Sequence, residues 1–149
     1  MSTMTTLAQV QAMLPGSSLL NISAQDAQSY KISRVGTDSR QIQSQELFIA
    51  LAGERFDAHN FLSDIAKAGA AALISNQDKC PPNLAAICIP DTRAGLGALA
   101  KAWRSAHPIP LALVTGSNGK TTVKEMIASI FKAAVGEEHT LVTKGNLNN

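Results

Sequence analysis

Apolar residues change their spacing several times along the chain, and each change marks an element. Leu7, Val10, Met13 and Leu14 recur every three or four positions, one apolar stripe on a helix that Pro15 and Gly16 stop. Tyr30 to Val35 alternates polar with apolar, as a half-buried strand does, and Leu47 to Leu51 is the continuous apolar run of a buried strand. Phe61, Leu62, Ile65, Ala66 and Ala68 return to helical spacing and end at Gly69, after which Ala70 to Ile74 reads as a strand. A further apolar run, Leu84 to Ile89, leads to Asp91 and Thr92, either of which can cap a helix carrying Leu96, Leu99, Ala100 and Trp103. Strand and helix therefore alternate, the pattern of an α/β sheet with crossover helices.

His107-Pro108-Ile109-Pro110 breaks the alternation, because steps into proline favour extended backbone and resist both helix and central strand. A domain boundary is expected there, giving a domain over 1–107 and a second part over 108–149. In the second part, Leu111 to Thr115 reads as a strand, a glycine-containing turn follows, and a helix is expected from about Lys120 to Ala134, with a short run Thr140 to Val142 after it. Residues 108–149 are too few for a nucleotide-binding domain of several βα units, so the chain is expected to stop inside its second domain.

A hydrophobic fraction of 45% over 149 residues suits a folded core. Charge narrows the partners. Thirteen Lys plus Arg stand against 11 Asp plus Glu without a basic run, and one Trp, one Tyr and four Phe make no stacking platform, so nucleic acid is not an expected partner. Met1 to Gln9 has no basic-then-apolar leader pattern, and no run approaches about 18 apolar residues, so a cytoplasmic protein without membrane insertion is expected. Cys80 and Cys88 lack a second Cys/His cluster to complete a metal site and read as reduced thiols. Nothing calls for an obligate oligomer, so a monomer is expected.

The sharpest chemistry is Thr115-Gly116-Ser117-Asn118-Gly119-Lys120-Thr121-Thr122, between an apolar run and an amphipathic helix. Glycines let the backbone approach an anion, helix N-terminal amides point at phosphate oxygens, Lys120 supplies a point charge, and Thr121 offers a hydroxyl to Mg²⁺. Thr122 is either part of this cradle or an ordinary first-turn residue. The common cradle sets its first glycine five positions before the Gly of the Gly-Lys pair, which here is Val114; the leading glycine stands only three positions earlier. The competing reading is a tight turn in which Asn118 and Gly119 only permit left-handed backbone and Lys120 is solvated.

This shortened cradle resembles that of the Mur ligase family, ATP-dependent amide ligases of peptidoglycan precursor synthesis. The resemblance continues through Thr37-Asp38-Ser39-Arg40, Leu47-Phe48-Ile49-Ala50-Leu51-Ala52-Gly53 and Asp57-Ala58-His59-Asn60-Phe61, which are similar in order and spacing to the uridine-nucleotide domain of its members that add the third residue or the terminal dipeptide. Val123-Lys124-Glu125-Met126 and Gly145-Asn146-Leu147-Asn148-Asn149 look like the dipeptide-adding branch. The resemblance implies a small N-terminal α/β uridine-nucleotide domain, then the first β-loop-α unit of a P-loop-type ATPase domain, in the first third or so of a complete member.

For such a ligase the resemblance implies ATP and Mg²⁺ as cofactors, and UDP-N-acetylmuramoyl-tripeptide and D-alanyl-D-alanine as substrates. The γ-phosphoryl would move to the tripeptide carboxylate, and the dipeptide amine would attack the acyl phosphate. Lys120 would balance charge on the β and γ oxygens, the amides from Gly116 to Thr122 would support it with Thr115 in the same ATP cradle, and Thr121 would ligate the metal, with the other metal ligands beyond residue 149. Thr37, Ser39 and Arg40 would lie near the uracil and diphosphate, Gly53, Arg55 and Phe56 along the nucleotide, and Asn146 and Asn148 against its sugar and diphosphate.

Arg40 and Arg55 each read equally as a forked diphosphate contact or as a solvated surface charge. Asp38 is either a turn residue bonding its own backbone or a carboxylate that orients Arg40, the turn reading being preferred. His59 reads as a packing or capping residue without a partner that spacing supplies, and His107 and His139 read as solvated. The alternatives are a folate polyglutamylating ligase, against which Thr121-Thr122 and the first hundred residues count, a generic P-loop NTPase, against which Val114 counts, and a binding-only module. The 149 residues alone are expected to be catalytically inactive.

Overall fold

In the computed structural model, which describes residues 3–54 and 56–143, the strand β1 (Thr5–Thr6) runs into helix α1 (Leu7–Ala12). The helix starts there because Thr6 and Gln9 satisfy each other. The Gln9 amide donates to Thr6 Oγ1 at 3.3 Å, and the Thr6 amide donates to Gln9 Oε1 at 3.0 Å. Next come strand β2 (Ser18–Leu20) and helix α2 (Ala24–Ser29), the latter opened by Ser23, whose hydroxyl accepts from the Asp26 amide. Neither was expected from the pattern.

The single strand expected over Tyr30 to Val35 is two. Strand β3 (Lys31–Ile32) pairs antiparallel with β1, whereas β4 (Arg34–Gly36) joins the main sheet. Between them the Ser33 amide donates to the Gln45 carbonyl at 2.8 Å, so the chain changes sheets at one residue. Strands β5 (Glu46–Ile49), β6 (Ala71–Ile74) and β7 (Ala86–Cys88) are buried throughout, as their apolar runs imply. The sheet order is β2-β7-β6-β5-β4, with β4 to β7 parallel and β2 an antiparallel edge.

Alternation across the sheet divides the core. Leu47, Ile49, Ala71, Leu73 and Ile87 pack with Leu7 and Val10 of α1, Ala27 of α2 and Leu99 of helix α4 (Thr92–Ala106). Phe48, Ala50, Ala72, Ile74 and Ala86 pack on the other face with Leu62 and Ile65 of helix α3 (Leu62–Lys67). The result is a helix–sheet–helix sandwich, the α/β class expected, although β4–β5 and β6–β7 are joined without an α-helix. Asp91 caps α4, its carboxylate accepting from the Arg93 and Ala94 amides at 2.8 and 3.1 Å. Cys80 and Cys88 are free thiols.

The chain divides into two compact units, Met1–His107 and Pro108–Asn149. In the second, helix α5 (Lys120–Val135) is present, ending at Gly136 with φ +94°. The strand expected at Leu111 to Thr115 is absent, and neither it nor the short run Thr140 to Val142 has regular structure. The physical reason is that a strand exists only through its neighbour's hydrogen bonds, and the described residues of this unit offer no second strand.

Candidate functional site

Because β4 to β7 run parallel, the four loops that leave their carboxyl ends emerge along one sheet edge, where open α/β sheets bind ligands. Thr37, Asp38, Ser39 and Arg40 follow β4 directly, and Gly53 and Phe56 lie in the connection after β5. Arg55, Asn146 and Asn148 lie outside the described residues.

In the β4 loop, Asp38 does both things the sequence allowed. Its Oδ1 accepts from the Arg40 amide at 3.1 Å, closing a turn, and the carboxylate takes the Arg40 guanidinium in a fork, Nε to Oδ1 at 2.9 Å and Nη2 to Oδ2 at 2.8 Å. The guanidinium beside it holds the Asp38 carboxyl down to about 2. Arg40 is thus oriented yet 85% exposed, and its guanidinium carries more N–H donors than the fork uses. Thr37 is exposed and Ser39 half-buried. Beneath the loop, the half-exposed Arg34 donates to Glu46 Oε1 and Oε2 at 2.7 and 2.9 Å and to the Gln41 carbonyl at 3.0 Å, tying the loop to a buried carboxylate.

After β5 the chain forms a short finger. The Ala58 amide donates to the Leu51 carbonyl at 3.0 Å, Ala52 and Asp57 bridge, and the Gly53 amide donates to the Phe56 carbonyl at 2.7 Å. Phe56, 57% exposed, stacks on Phe61 with ring centroids 5.8 Å apart. Thr92, buried at the start of α4, donates its hydroxyl to the Ala50 carbonyl at 2.8 Å, at the root of the finger.

His59 is buried, in keeping with a packing role, but its ring has partners. Nδ1 lies 2.6 Å from Asp57 Oδ1, and Nε2 accepts from the Ser75 amide at 2.9 Å. Lys79 donates to Asp57 Oδ2 at 2.7 Å and to Asn60 Oδ1 at 3.0 Å, and this cation holds the Asp57 carboxyl well below the usual carboxylate range. Asp57, two positions before His59, was visible in the sequence; Ser75 and Lys79 come from the next strand's loop, and no spacing signals them.

In the second unit the cradle leads straight into α5. Gly119 occupies its N-cap with φ +74° and no side-chain cap, and Gly116 has φ +151°. Both lie where a side chain is strained, which is the reason for glycine here. Gly116 to Gly119 are exposed, as are Thr121 and Thr122, and Lys120 folds back so that Nζ donates to the Gly116 carbonyl at 2.7 Å. An uncapped helix N-terminus, an open glycine turn and an ammonium within the loop fit a polyphosphate. For Mg²⁺ the fit is partial. Thr121 can give one oxygen, a hard cation takes about six, and no cluster of three His, Cys, Asp or Glu stands among the described residues. Among those residues no helix is long and apolar enough to cross a membrane.

Two family patterns match the chain: residues 31–104 fit "Mur ligase family, catalytic domain" and residues 114–149 fit "Mur ligase middle domain". The chain is 42% identical over 123 residues to the UDP-N-acetylmuramoyl-tripeptide–D-alanyl-D-alanine ligase of Haemophilus influenzae, covering 82% of this chain and 27% of that protein. Among solved structures it is similar to MurF from Acinetobacter baumannii, at a TM-score of 0.78 and 37% identity, over 97% of this chain and 30% of that one. It is also similar to the MurF ligase of Thermotoga maritima in complex with ADP, at a TM-score of 0.55 and 28% identity, over 67% of this chain and 23% of that one. The chain thus spans about a quarter of the length of the curated relative.

Proposed function

Because the chain belongs to the Mur ligase family, we propose that it forms the uridine-nucleotide domain and the phosphate loop of an ATP-dependent ligase, one that joins D-alanyl-D-alanine to UDP-N-acetylmuramoyl-tripeptide in peptidoglycan precursor synthesis. The observation that carries this reading is the Gly116–Lys120 turn, with its two left-handed glycines and its folded-back ammonium at an uncapped helix start. The similarity to a ligase solved with ADP supports it. The likeness of Val123-Lys124-Glu125-Met126 to the dipeptide-adding branch supports this reaction over addition of the third residue.

A carboxylate is a poor acyl donor because attack on it must expel an oxide ion; ATP, when bound, supplies the phosphoryl group that makes the tripeptide carboxylate reactive. The chain's contribution is binding and charge. Lys120 exchanges the Gly116 carbonyl for phosphate oxygens, and the amides that open α5 donate to the same oxygens. Thr121 provides one hydroxyl toward Mg²⁺. In the first unit, Thr37, Ser39 and the pre-aimed Arg40 receive the uracil and diphosphate, and Gly53, Arg55 and Phe56 line the nucleotide. Asn146 and Asn148 reach its sugar and diphosphate. A cytoplasmic, monomeric enzyme acting on soluble substrates is the corresponding cellular picture.

Calorimetric titration of the 149-residue chain tests the reading. UDP-N-acetylmuramoyl-tripeptide should give saturable heat and MgATP little, because the described residues hold no cluster of His, Cys, Asp or Glu that would complete a metal shell at the phosphate loop; absence of nucleotide binding overturns the domain assignment. In a ligase carrying these residues, phosphate release should require both the nucleotide-linked tripeptide and D-alanyl-D-alanine. Release from ATP alone would instead make the chain part of an NTPase.

A further inference from the structure

The Lys79, Asp57, His59 and Ser75 chain is the most developed polar cluster that the proposed chemistry leaves unused. Its order, Asp–His–Ser, invites a nucleophilic reading that the geometry rejects. Nε2 of His59 is already occupied by the Ser75 main-chain N–H at 2.9 Å, and Ser75 Oγ stands off at 3.3 Å. A main-chain N–H only donates, so Nε2 presents its lone pair and the ring proton sits on Nδ1, donated to Asp57. With both nitrogens committed and the side chain 2% exposed, the imidazole presents no free nitrogen to a ligand. It is a crossbar between the loop after β5 and the loop after β6.

What the crossbar holds is the return limb of the finger. Asp57 is one half of the Ala52–Asp57 bridge, and among the described residues the finger's own main-chain ties besides it are the Ala58-to-Leu51 and Gly53-to-Phe56 hydrogen bonds. A two-stranded ribbon this short is marginal alone, so its direction is set by whatever grips its base. Three grips are present on Asp57: the Lys79 ammonium, the His59 ring and the His59 main-chain amide at 2.9 Å. The ring passes the load to Ser75, directly after β6, whose four residues are all buried.

We infer that His59 is a positioning residue for the uridine nucleotide, locking the finger that carries Gly53 and Phe56 to the sheet so that it is already in place when the ligand arrives. This rests on the finger's assignment to the nucleotide made above. Holding a loop in its bound form spares the ordering cost that binding otherwise carries.

Three variants of the chain separate the links. His59→Asn keeps a donor near the Nδ1 position for Asp57 and gives up Ser75; His59→Gln keeps an acceptor near the Nε2 position and gives up Asp57; Lys79→Met removes the outer cation. Affinity for UDP-N-acetylmuramoyl-tripeptide is read by calorimetry, and the Gly53 and Ala58 amides by hydrogen exchange. Both His59 variants should bind about tenfold more weakly, the scale of one lost hydrogen bond, with Gly53 and Ala58 exchanging about tenfold faster and the β6 amides unchanged. Lys79→Met should weaken binding about threefold with an unaltered thermal midpoint, since a half-exposed ion pair contributes little to global stability.

Variants that bind and exchange like the wild type overturn the inference. Should both His59 variants fail to fold, Lys79→Met decides: unchanged affinity and unchanged finger exchange defeat it. A wild-type chain that takes up no nucleotide fails at the earlier step and overturns the positioning role with it. Wild-type binding with indifferent variants overturns the positioning role alone.

Discussion

Helix α4 carries two interior glycines two residues apart, and they should respond to alanine with opposite signs. A helix-interior Gly→Ala change gains about 0.5–1 kcal/mol from the reduced freedom of the unfolded chain and better propensity. At Gly97 a Cβ would meet nothing within 4 Å, so the whole gain should appear. At Gly95 a Cβ would lie 3.2 Å from Leu73 Cδ2 and 3.4 Å from Ile89 Cδ1 and Cγ2. Carbon pairs prefer about 3.5–4.0 Å, and Leu73 is fully buried, so it can yield only by leaving a packed rotamer. Overpacking of this kind costs about 1–3 kcal/mol. Propensity cancels between the two variants, leaving Gly95→Ala less stable than Gly97→Ala by about 1–3 kcal/mol, on opposite sides of the wild type. Urea unfolding followed by far-UV circular dichroism, with unchanged m-values, measures both.

The consequence reaches the candidate site. Gly95 lets α4 sit close enough to the sheet for Thr92, three residues earlier, to reach the Ala50 carbonyl at the finger's root. Gly95→Ala should therefore also weaken uptake of the uridine nucleotide, whereas Gly97→Ala should leave it alone. Equal stability for the two variants would refute the packing argument. Reduced stability with unaltered affinity would refute the link from helix seat to finger.

Three further outcomes follow from single contacts. Thr92→Val, close in shape, leaves the buried Ala50 carbonyl without its hydroxyl donor and should cost about 1–2 kcal/mol in urea unfolding. Lys120→Met removes a half-buried cation whose one hydrogen bond lies within its own turn, so the thermal midpoint of the chain should hold, while a ligase carrying the change should lose about 10²–10³-fold or more in turnover. Arg34→Met tests the Glu46 pair by pH. The forked bond from Arg34 lowers the Glu46 carboxyl, so its contribution is full above the ordinary carboxylate range and fades as pH falls through the lower native value. The stability gap between wild type and Arg34→Met should be widest near neutral pH and narrow on acidification to what the Gln41 hydrogen bond contributes; a gap independent of pH would deny the pairing.

What could be read from the chain depended on how local each cause was. Strands β5, β6 and β7 announce themselves because burial on both faces needs an unbroken apolar run, and the cap of α4 because Asp91 serves amides two and three residues away. Helix α2 was hidden: only Ala27 of its six residues is buried, so there is no apolar stripe to see, and its one local sign is Ser23 ahead of Asp26. The Thr6–Gln9 capping box is local too, a threonine three residues ahead of a glutamine. Tyr30 to Val35 shows a different limit. Its alternation correctly marked extended backbone, but the switch at Ser33 is decided by the Gln45 carbonyl, twelve residues on.

The same rule sorts the candidate site. The Gly116–Lys120 turn is legible because its conformational demands are met by the residues within it, two glycines for two left-handed positions and a lysine that bends back four residues. The expected strand before it was not realised, since an apolar run specifies willingness to pair and not the partner. In the β4 loop, Asp38 and Arg40 are near enough in sequence to imply each other, and the fork between them follows. The finger is the contrary case. Its tip is local, but its bearing is fixed by Thr92 from α4 and, through His59, by Ser75 after β6, contacts spanning 42 and 16 residues. Candidate contact residues can therefore be proposed from short motifs, whereas the residues that fix the direction of a loop emerge only once the sheet has set its strand ends side by side.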